Sequence, residues 1–156
     1  MKVYIIGALK NKAIPELANT LEDEGFEVFC DWFSPGPECD QCLWEYGKTR
    51  GWDYKRTLKS EAAQLAYNFD IDHLNACDVG VMLMPCGKSG HAELGYLIGR
   101  GTPAYILFDA PPERLDLMPA NLATDIFFDA AALIAALRKL KSINPVNLVY
   151  YERLTK

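Results

Sequence analysis

Residues 78–96 read DVGVMLMPCGKSGHAELGY. The opening DVGVMLMP is apolar at nearly every position and lacks the alternation of a strand with one wet face. A continuous apolar run of this length fits a strand covered on both sides, as in a parallel sheet. Small residues and one lysine then cross a tight turn, and a helix is expected to begin at Ser89 or Gly90. On that reading Glu93 falls in the first helical turn, ahead of Leu94, Gly95 and Tyr96. A buried strand, a slim turn and a helix make half of a βαβ unit.

The same grammar recurs on both sides. KVYIIG (2–7) is a β-rich apolar run. Ile14, Leu17, Ala18 and Leu21 recur at helical spacing around Pro15, which suits a first turn, and Gly25 suits the end of that helix. FEVFCD (26–31), TPAYILF (102–108) and DIFFD (125–129) read as further strands. Helices are expected over 55–77, as one or as two abutting, over about 90–100, ending near Gly101, and over 130–141. APPERLDLMP (110–119) reads as a loop with one turn of helix. The tail from Ser142 carries NLVYYERL, expected to pair with a neighbour or pack on the surface. The order of elements is α/β: an open parallel sheet of about five strands with helices on both faces.

The 156 residues suit a single domain spanning 1–156. Its irregularity is 31–54, DWFSPGPECDQCLWEYGKTRGWDY, which holds all three tryptophans. That is long for a connection in a compact domain. It reads either as a lid or binding loop, or as a packed insertion with its own aromatic cluster.

The formal charge is −5, with no basic block, which argues against a nucleic-acid polymer as partner. A small anionic ligand is compatible, since local amides and one or two cations can hold it. No apolar run is long enough for a bilayer, and MKVYIIGALK reads as a first strand rather than an export signal. Five cysteines are an odd number, and free thiols in a reducing cytoplasm are the expectation. Cys39 and Cys42 form a CxxC, but no second CxxC or HxxxH completes a zinc site; Cys30 with His73 or His91 is the other route to four ligands. Neither a metal nor a cofactor is expected. A thioredoxin-like role is weaker still, because this CxxC reads as part of a Pro/Gly-rich loop.

In open parallel sheets, ligands bind beyond the carboxyl ends of the strands, where strand order reverses. That rule selects 7–12, 31–35, 85–93 and 108–113. GALKNK has one glycine and is no dinucleotide fingerprint. CGKSG lacks the glycine of a Walker A loop five positions before Gly87, where Met82 stands. What remains is a slim turn into a helix N-terminus, whose free N–H groups and dipole favour an anion, with Lys88 and the Ser89 hydroxyl beside them. The plainer alternative has Ser89 as a cap and Lys88 solvated.

Two acids are candidates for chemistry. Glu93 falls on the ligand side, where Gly87, Gly90 and Gly95 allow close approach. An acid in a first turn is also stabilised by the helix dipole by about 0.3–1 kcal/mol, with no catalytic role required. Asp70 lies in LAYNFDIDHLNAC (65–77). Ala63, Ala66, Tyr67, Asp70, Leu74 and Cys77 form one helical stripe, and an unpaired charge within it is costly. Asp72 is about 200° further round and is expected to face water. The plainer alternative for Asp70 is a cap or a buried hydrogen bond at a helix junction. Two carboxylates converging on a pocket point to glycosyl chemistry. One attacks or stabilises an anomeric carbon, the other assists the leaving group, and in retaining enzymes they lie about 5 Å apart.

The stretch YNFDIDHLNACDVGVMLMPCGKSGHAELGYLIGRGTPAYILFD (67–109) resembles the core of the nucleoside 2-deoxyribosyltransferase superfamily. The residues that carry the resemblance are Asp70, Asp78-Val79, Ser89-Gly90, Glu93-Leu94-Gly95-Tyr96 and Gly101-Thr102-Pro103, together with the VYIIGALKN start. It covers about 2–11 and 67–109, and not the aromatic segment or the tail.

The resemblance implies a flavodoxin-like, Rossmann-like fold and a homo-oligomer, dimer or higher. It implies an enzyme that cleaves or transfers at the N-glycosidic bond of a (deoxy)nucleoside or its 5′-monophosphate. Glu93 would be the nucleophile at C1′ and Asp70 would assist the leaving base. Ser89 and Gly90 would hold a 5′-phosphate, with Lys88 beside them, and Gly7 would line the substrate at the first turn. Members that transfer between free nucleosides carry a further aspartate six positions before the glutamate. Gly87 stands there, which tilts the reading toward a nucleotide N-glycosidase. Topology alone suggests that Trp32 or Phe33 stacks on the base and that Asp31 holds a sugar hydroxyl. The rival readings are a glycohydrolase of NAD or of a modified nucleotide on the same scaffold, and a non-catalytic nucleotide sensor.

Overall fold

A computed structural model describes residues 1–33 and 38–143, without the side chains of Phe33 and Cys39. Its sheet consists of β1 (Lys2–Ile6), β2 (Glu27–Phe29), β3 (Val79–Leu83), β4 (Ala104–Leu107) and β5 (Asp125–Phe127), all parallel, in the order β2-β1-β3-β4-β5. This is the expected open α/β sheet, with strand order reversing between β1 and β3. Every residue of β3 and β4 is buried, while the edge strands β2 and β5 are only half covered.

Among the described residues the helices are α1 (Ile14–Asp23), α2 (Cys39–Thr49), α3 (Tyr54–Leu58), α4 (Glu61–Ala76), α5 (Lys88–Gly99), α6 (Leu117–Leu122) and α7 (Ala130–Ser142). Alternate residues of each strand point to opposite faces. Val3, Ile5, Val79 and Val81 meet Ile14, Leu17 and Leu21 of α1 and Leu133 and Leu137 of α7. Tyr4, Ile6, Met82 and Ile106 meet Leu74 of α4 and Leu94 and Leu97 of α5. Each fully buried Leu or Ile contributes about 1.5–3 kcal/mol to these layers. Gly25 (φ +77) and Gly101 (φ +80) close α1 and α5 in the left-handed conformation that favours glycine. The 55–77 stretch is the two-helix alternative, with α3 capped by Asp53 and α4 by Ser60.

Four local expectations are corrected. First, β2 stops at Phe29. Its ladder with β1 ends at the Tyr4–Phe29 pair, and Ile5 O accepts a 2.8 Å hydrogen bond from the Trp32 indole N–H as the chain bends into a 3-10 turn at Asp31–Phe33.

Second, much of 31–54 is helix. The residues that marked it as a loop, Pro35, Gly36 and Pro37, all precede α2 and lie outside the described residues, so Cys39 opens a helix rather than sitting in a loop. Trp44 meets Tyr54 edge-on and Tyr46 meets Trp52 edge-on. These pairs give the segment an aromatic cluster of its own.

Third, the apolar stripe of α4 is buried only toward its C-terminal end. Leu74 is 3 % exposed, whereas Tyr67 is 58 % exposed. A 16-residue helix is about 24 Å long and a five-residue strand about 17 Å, so α4 overhangs the sheet, and Asp70 comes to the rim.

Fourth, α5 begins at Lys88, with Gly87 as its extended N-cap and no side-chain cap. Ser89 is therefore not a cap, and Glu93 is the sixth helical residue, beyond the first turn. The segment from 144 lies outside the described residues.

Candidate active site

The order reversal leaves a cleft between the turn after β1, which runs to α1 on one face, and the turn after β3, which runs to α5 on the other. Glu93 of α5 and Asp70 of α4 rise on the same face of the sheet, above Tyr4 of β1. Burial, and then the charge of Asp70, push the Glu93 carboxyl up to about 7. Asp70 is itself raised, by burial first and then by Asp40, while His73 opposes the rise. Burial raises the Tyr4 phenol, and the charges of Glu93 and Asp70 raise it further. Glu93 thus feels the charge of Asp70, and Tyr4 feels both. The dipole explanation of Glu93 loses its force, because that effect fades beyond the first turn and would lower the pKa rather than raise it.

The two helices carrying the carboxylates are clamped together below the site. Asn75 Oδ1 accepts from Tyr96 Oη at 2.7 Å and from Arg100 Nη1 at 2.6 Å. Above, His91 Nδ1 donates to Gly87 O at 2.7 Å, and its Nε2 lies 3.9 Å from Asp116. A Cβ at Gly90 would collide with Cys86 Sγ, so this glycine lets Cys86 tuck under the turn. A Cβ at Gly87 would meet nothing within 4 Å. Cys86 adjoins the acid pair: burial, and then Glu93, raise its thiol to about 11.

Lys88 and Ser89 are exposed at the start of α5, and Gly90 is buried behind them. Gly7 is needed for packing, since a Cβ there would collide with Ile14 and lie 3.4 Å from the Trp32 ring. Trp32 is half-buried against both layers of the core, with its indole N–H engaged by Ile5 O. Asp31 is exposed, and its charge adds to the burial that raises the Cys30 thiol. The side chain of Phe33 lies outside the described residues. Asp72 is exposed, as its helical angle required. Among the described residues, no three His, Cys, Asp or Glu side chains gather to hold a metal, and Cys30, Cys42, Cys77 and Cys86 are free thiols.

Sequence reading missed Tyr4, and took His73 only as a possible metal ligand. The signal for Tyr4 was the strand period, which places it beside Ile6 on the face of the two acids, and a buried tyrosine needs a partner for its hydroxyl. His73 is three residues after Asp70 on the same helix. It stacks on Phe29, with centroids 3.8 Å apart and planes 11° from parallel, and bonds through Nδ1 to Phe69 O.

No protein-family model matches the chain, and no curated protein matches its sequence. Solved structures do match its fold. A 2-deoxyribosyltransferase of Bacillus psychrosaccharolyticus aligns over 86% of this chain and 90% of its own, with a TM-score of 0.58 and 16% identity. A conserved protein of Enterococcus faecalis V583 aligns over 89% and 98%, with a TM-score of 0.60 and 12% identity. BcmB, a CMP N-glycosidase of Clostridium botulinum, aligns over 88% and 99%, with a TM-score of 0.50 and 19% identity. At these identities the shared property is the fold. The chain folds as a 2-deoxyribosyltransferase and a CMP N-glycosidase fold, consistent with the resemblance carried by residues 2–11 and 67–109.

Proposed function

We propose that this protein is an enzyme that cleaves or transfers at the N-glycosidic bond of a (deoxy)nucleoside or its 5′-monophosphate, with Glu93 as nucleophile and Asp70 as the acid that assists the leaving base. The observation that carries this reading is the placement of Glu93 and Asp70 on one face above Tyr4, at the carboxyl rim of β1 and β3, where the charge of Asp70 adds to the burial that raises Glu93 and both charges raise Tyr4. The fold shared with two glycosidic-bond enzymes supports it.

A Glu93 carboxylate oxygen bonds to C1′ as the C1′–N bond breaks through an oxocarbenium-like transition state. The departing electron pair goes to the base nitrogen, which takes a proton from Asp70. Water or a second base then attacks C1′, the ester to Glu93 breaks, and the incoming nucleophile's proton passes to Asp70. The pair therefore works when it holds one proton. In the free protein Glu93, with its pKa pushed up to about 7, competes for that proton. The positive charge developing at C1′ favours the ionised Glu93, leaving the proton on Asp70. A bell-shaped pH profile follows, its alkaline limb near pH 7 belonging to the pair as a whole.

The test is a panel of deoxynucleosides, ribonucleosides, their 5′-monophosphates and NAD, with wild type and Glu93→Gln side by side. Free base is expected from wild type, and a loss of more than about 10³-fold in the variant. Equal release by both removes Glu93 as nucleophile. Ligand binding with no base released from any substrate indicates a sensor instead.

Assembly into a homo-oligomer belongs to the same proposal. Leu65 and Tyr67 of α4, and Leu115, Leu117 and Met118 around α6, are 58–90 % exposed, and apolar side chains exposed in this way mark association surfaces. Light scattering that gives a monomer mass at micromolar concentration refutes this part. No helix among the described residues is long and apolar enough to cross a membrane. The four described free thiols fit a reducing compartment such as the cytoplasm.

A further inference from the structure

A side cleft of about 480 Å³ runs beside α4 along the edge strand β2, and its lining includes Lys2, Glu27, Phe29, Asp72, His73 and Cys77. Neither Glu93 nor Asp70 lines it. His73 therefore stands between this cleft and the acid pair, about one helical turn from Asp70.

The ring of His73 is fixed in place. It lies flat on Phe29, with centroids 3.8 Å apart and planes 11° from parallel, and it tilts against Phe69 at 4.7 Å. Phe29 in turn meets Tyr4, which lies beneath the acid pair, at 5.2 Å. Nδ1 lies 2.8 Å from Phe69 O. A carbonyl oxygen only accepts, so Nδ1 carries a hydrogen and proton exchange falls to Nε2. The ring can thus change charge without giving up its stack or its hydrogen bond.

Imidazole changes charge between about pH 5 and 8. Residues three apart on a helix have Cβ atoms about 5–6 Å apart. No ion pair joins His73 to Asp70 among the described residues, so the charge of His73 acts through its field across that turn. The other groups lining the cleft compete weakly. Lys2 pairs with Glu27 at 3.3 Å, burial raises the Cys77 thiol to about 11, and Asp72 is exposed. Around Asp70, burial raises the carboxyl, the charge of His73 opposes that rise, and Asp40 of α2 adds to it.

We propose that His73 is a positioning residue for the leaving-group acid: held flat on Phe29 and reaching water through the side cleft, it governs whether Asp70 or Glu93 carries their shared proton. Neutral His73 lets the proton sit on Asp70, where a departing base takes it. Protonated His73 favours the Asp70 carboxylate and sends the proton to Glu93, where it blocks the nucleophile. This rests on the glycosidic reading above and adds to it the group that sets the resting state of the pair.

The test compares His73→Phe, which keeps a ring on Phe29 and removes the charge, with Phe69→Leu, which removes a ring contact and keeps the charge. The ratio of kcat/KM, variant over wild type, is expected to rise roughly threefold for His73→Phe between pH 8 and pH 5.5. It is expected to stay flat for Phe69→Leu. A flat ratio for His73→Phe, or an equal rise in Phe69→Leu, assigns His73 to packing and overturns the proposal. Proton NMR of the imidazole signal that His73→Phe lacks tests the same coupling without turnover. In Asp70→Asn the titration midpoint of that signal is expected to fall by about half a pH unit. A lowered midpoint upholds the coupling even if wild type releases no base, which would remove the glycosidic reading. Base release with an unmoved midpoint overturns the coupling and leaves the glycosidic reading standing.

Discussion

The carboxyl and amino ends of the strands treat charged groups in opposite ways. At the amino ends two acids have partners of their own, and a lysine holds a backbone carbonyl. Asp78 accepts the Lys2 backbone N–H at 2.7 Å, Glu24 pairs with Arg138, and Lys141 donates to Gly25 O at 2.8 Å. At the carboxyl ends burial raises both Glu93 and Asp70; the charge of Asp70 adds to the rise in Glu93, and His73 opposes the rise in Asp70. Partnered charges hold a fold in register. Like charges confined together raise the energy of the folded state, and under the proposed function that arrangement serves the chemistry. The overhang of α4 contributes directly, because the length that carries Asp70 beyond Leu74 also carries it to the rim.

That contrast can be broken experimentally, and the largest effect belongs to the rim. Asp70→Asn is expected to lower the rate of base release by about 10²–10⁴-fold. It is also expected to bring the Glu93 pKa down from about 7, though not to the ordinary 4.5, because burial is the larger cause. Carbon-13 NMR titration of the Glu93 carboxyl measures this, and an unmoved pKa means that the two acids do not face each other.

A middle-sized effect concerns stability. The Glu93 pKa is higher folded than unfolded, so its contribution to stability is full below about pH 4.5 and is lost as pH rises through about 7. Glu93→Gln is therefore expected to stabilise the fold at pH 8 relative to wild type, by at most about 3 kcal/mol, and by much less at pH 4.5. Paired urea melts at the two pH values check it, and a difference independent of pH counts against a strained rim.

The smallest change sharpens the other side. Asn75→Ala removes the acceptor that joins Tyr96 and Arg100. It is expected to cost about 1–2 kcal/mol in urea melts while leaving the alkaline limb of the pH–rate profile in place. A shifted limb would mean that the clamp sets the spacing of the acids as well as holding the helices.

How far the sequence was legible follows from which interactions are local. DVGVMLMP and TPAYILF declare buried strands because a strand covered on both faces is apolar at every position. The helix of 39–49 was hidden because Pro35-Gly36-Pro37 coloured the whole segment as loop. Glu93 and Asp70 stood out as residues, but the plain explanation of Glu93 rested on a helix start that lies slightly upstream of where the turn suggested.

Taken alone, the chain's residues determined the alternation of strands and helices, the absence of nucleotide-loop fingerprints, and which two acids to suspect, since propensity, periodicity and motif spacing act over a few residues. Only the tertiary structure decided that β1 lies between β2 and β3, that Tyr4 sits beneath both acids, and that a carboxylate near a helix start is destabilised rather than favoured by its position. Those outcomes depend on desolvation and on charges brought together from distant segments, and neither is encoded in any local pattern.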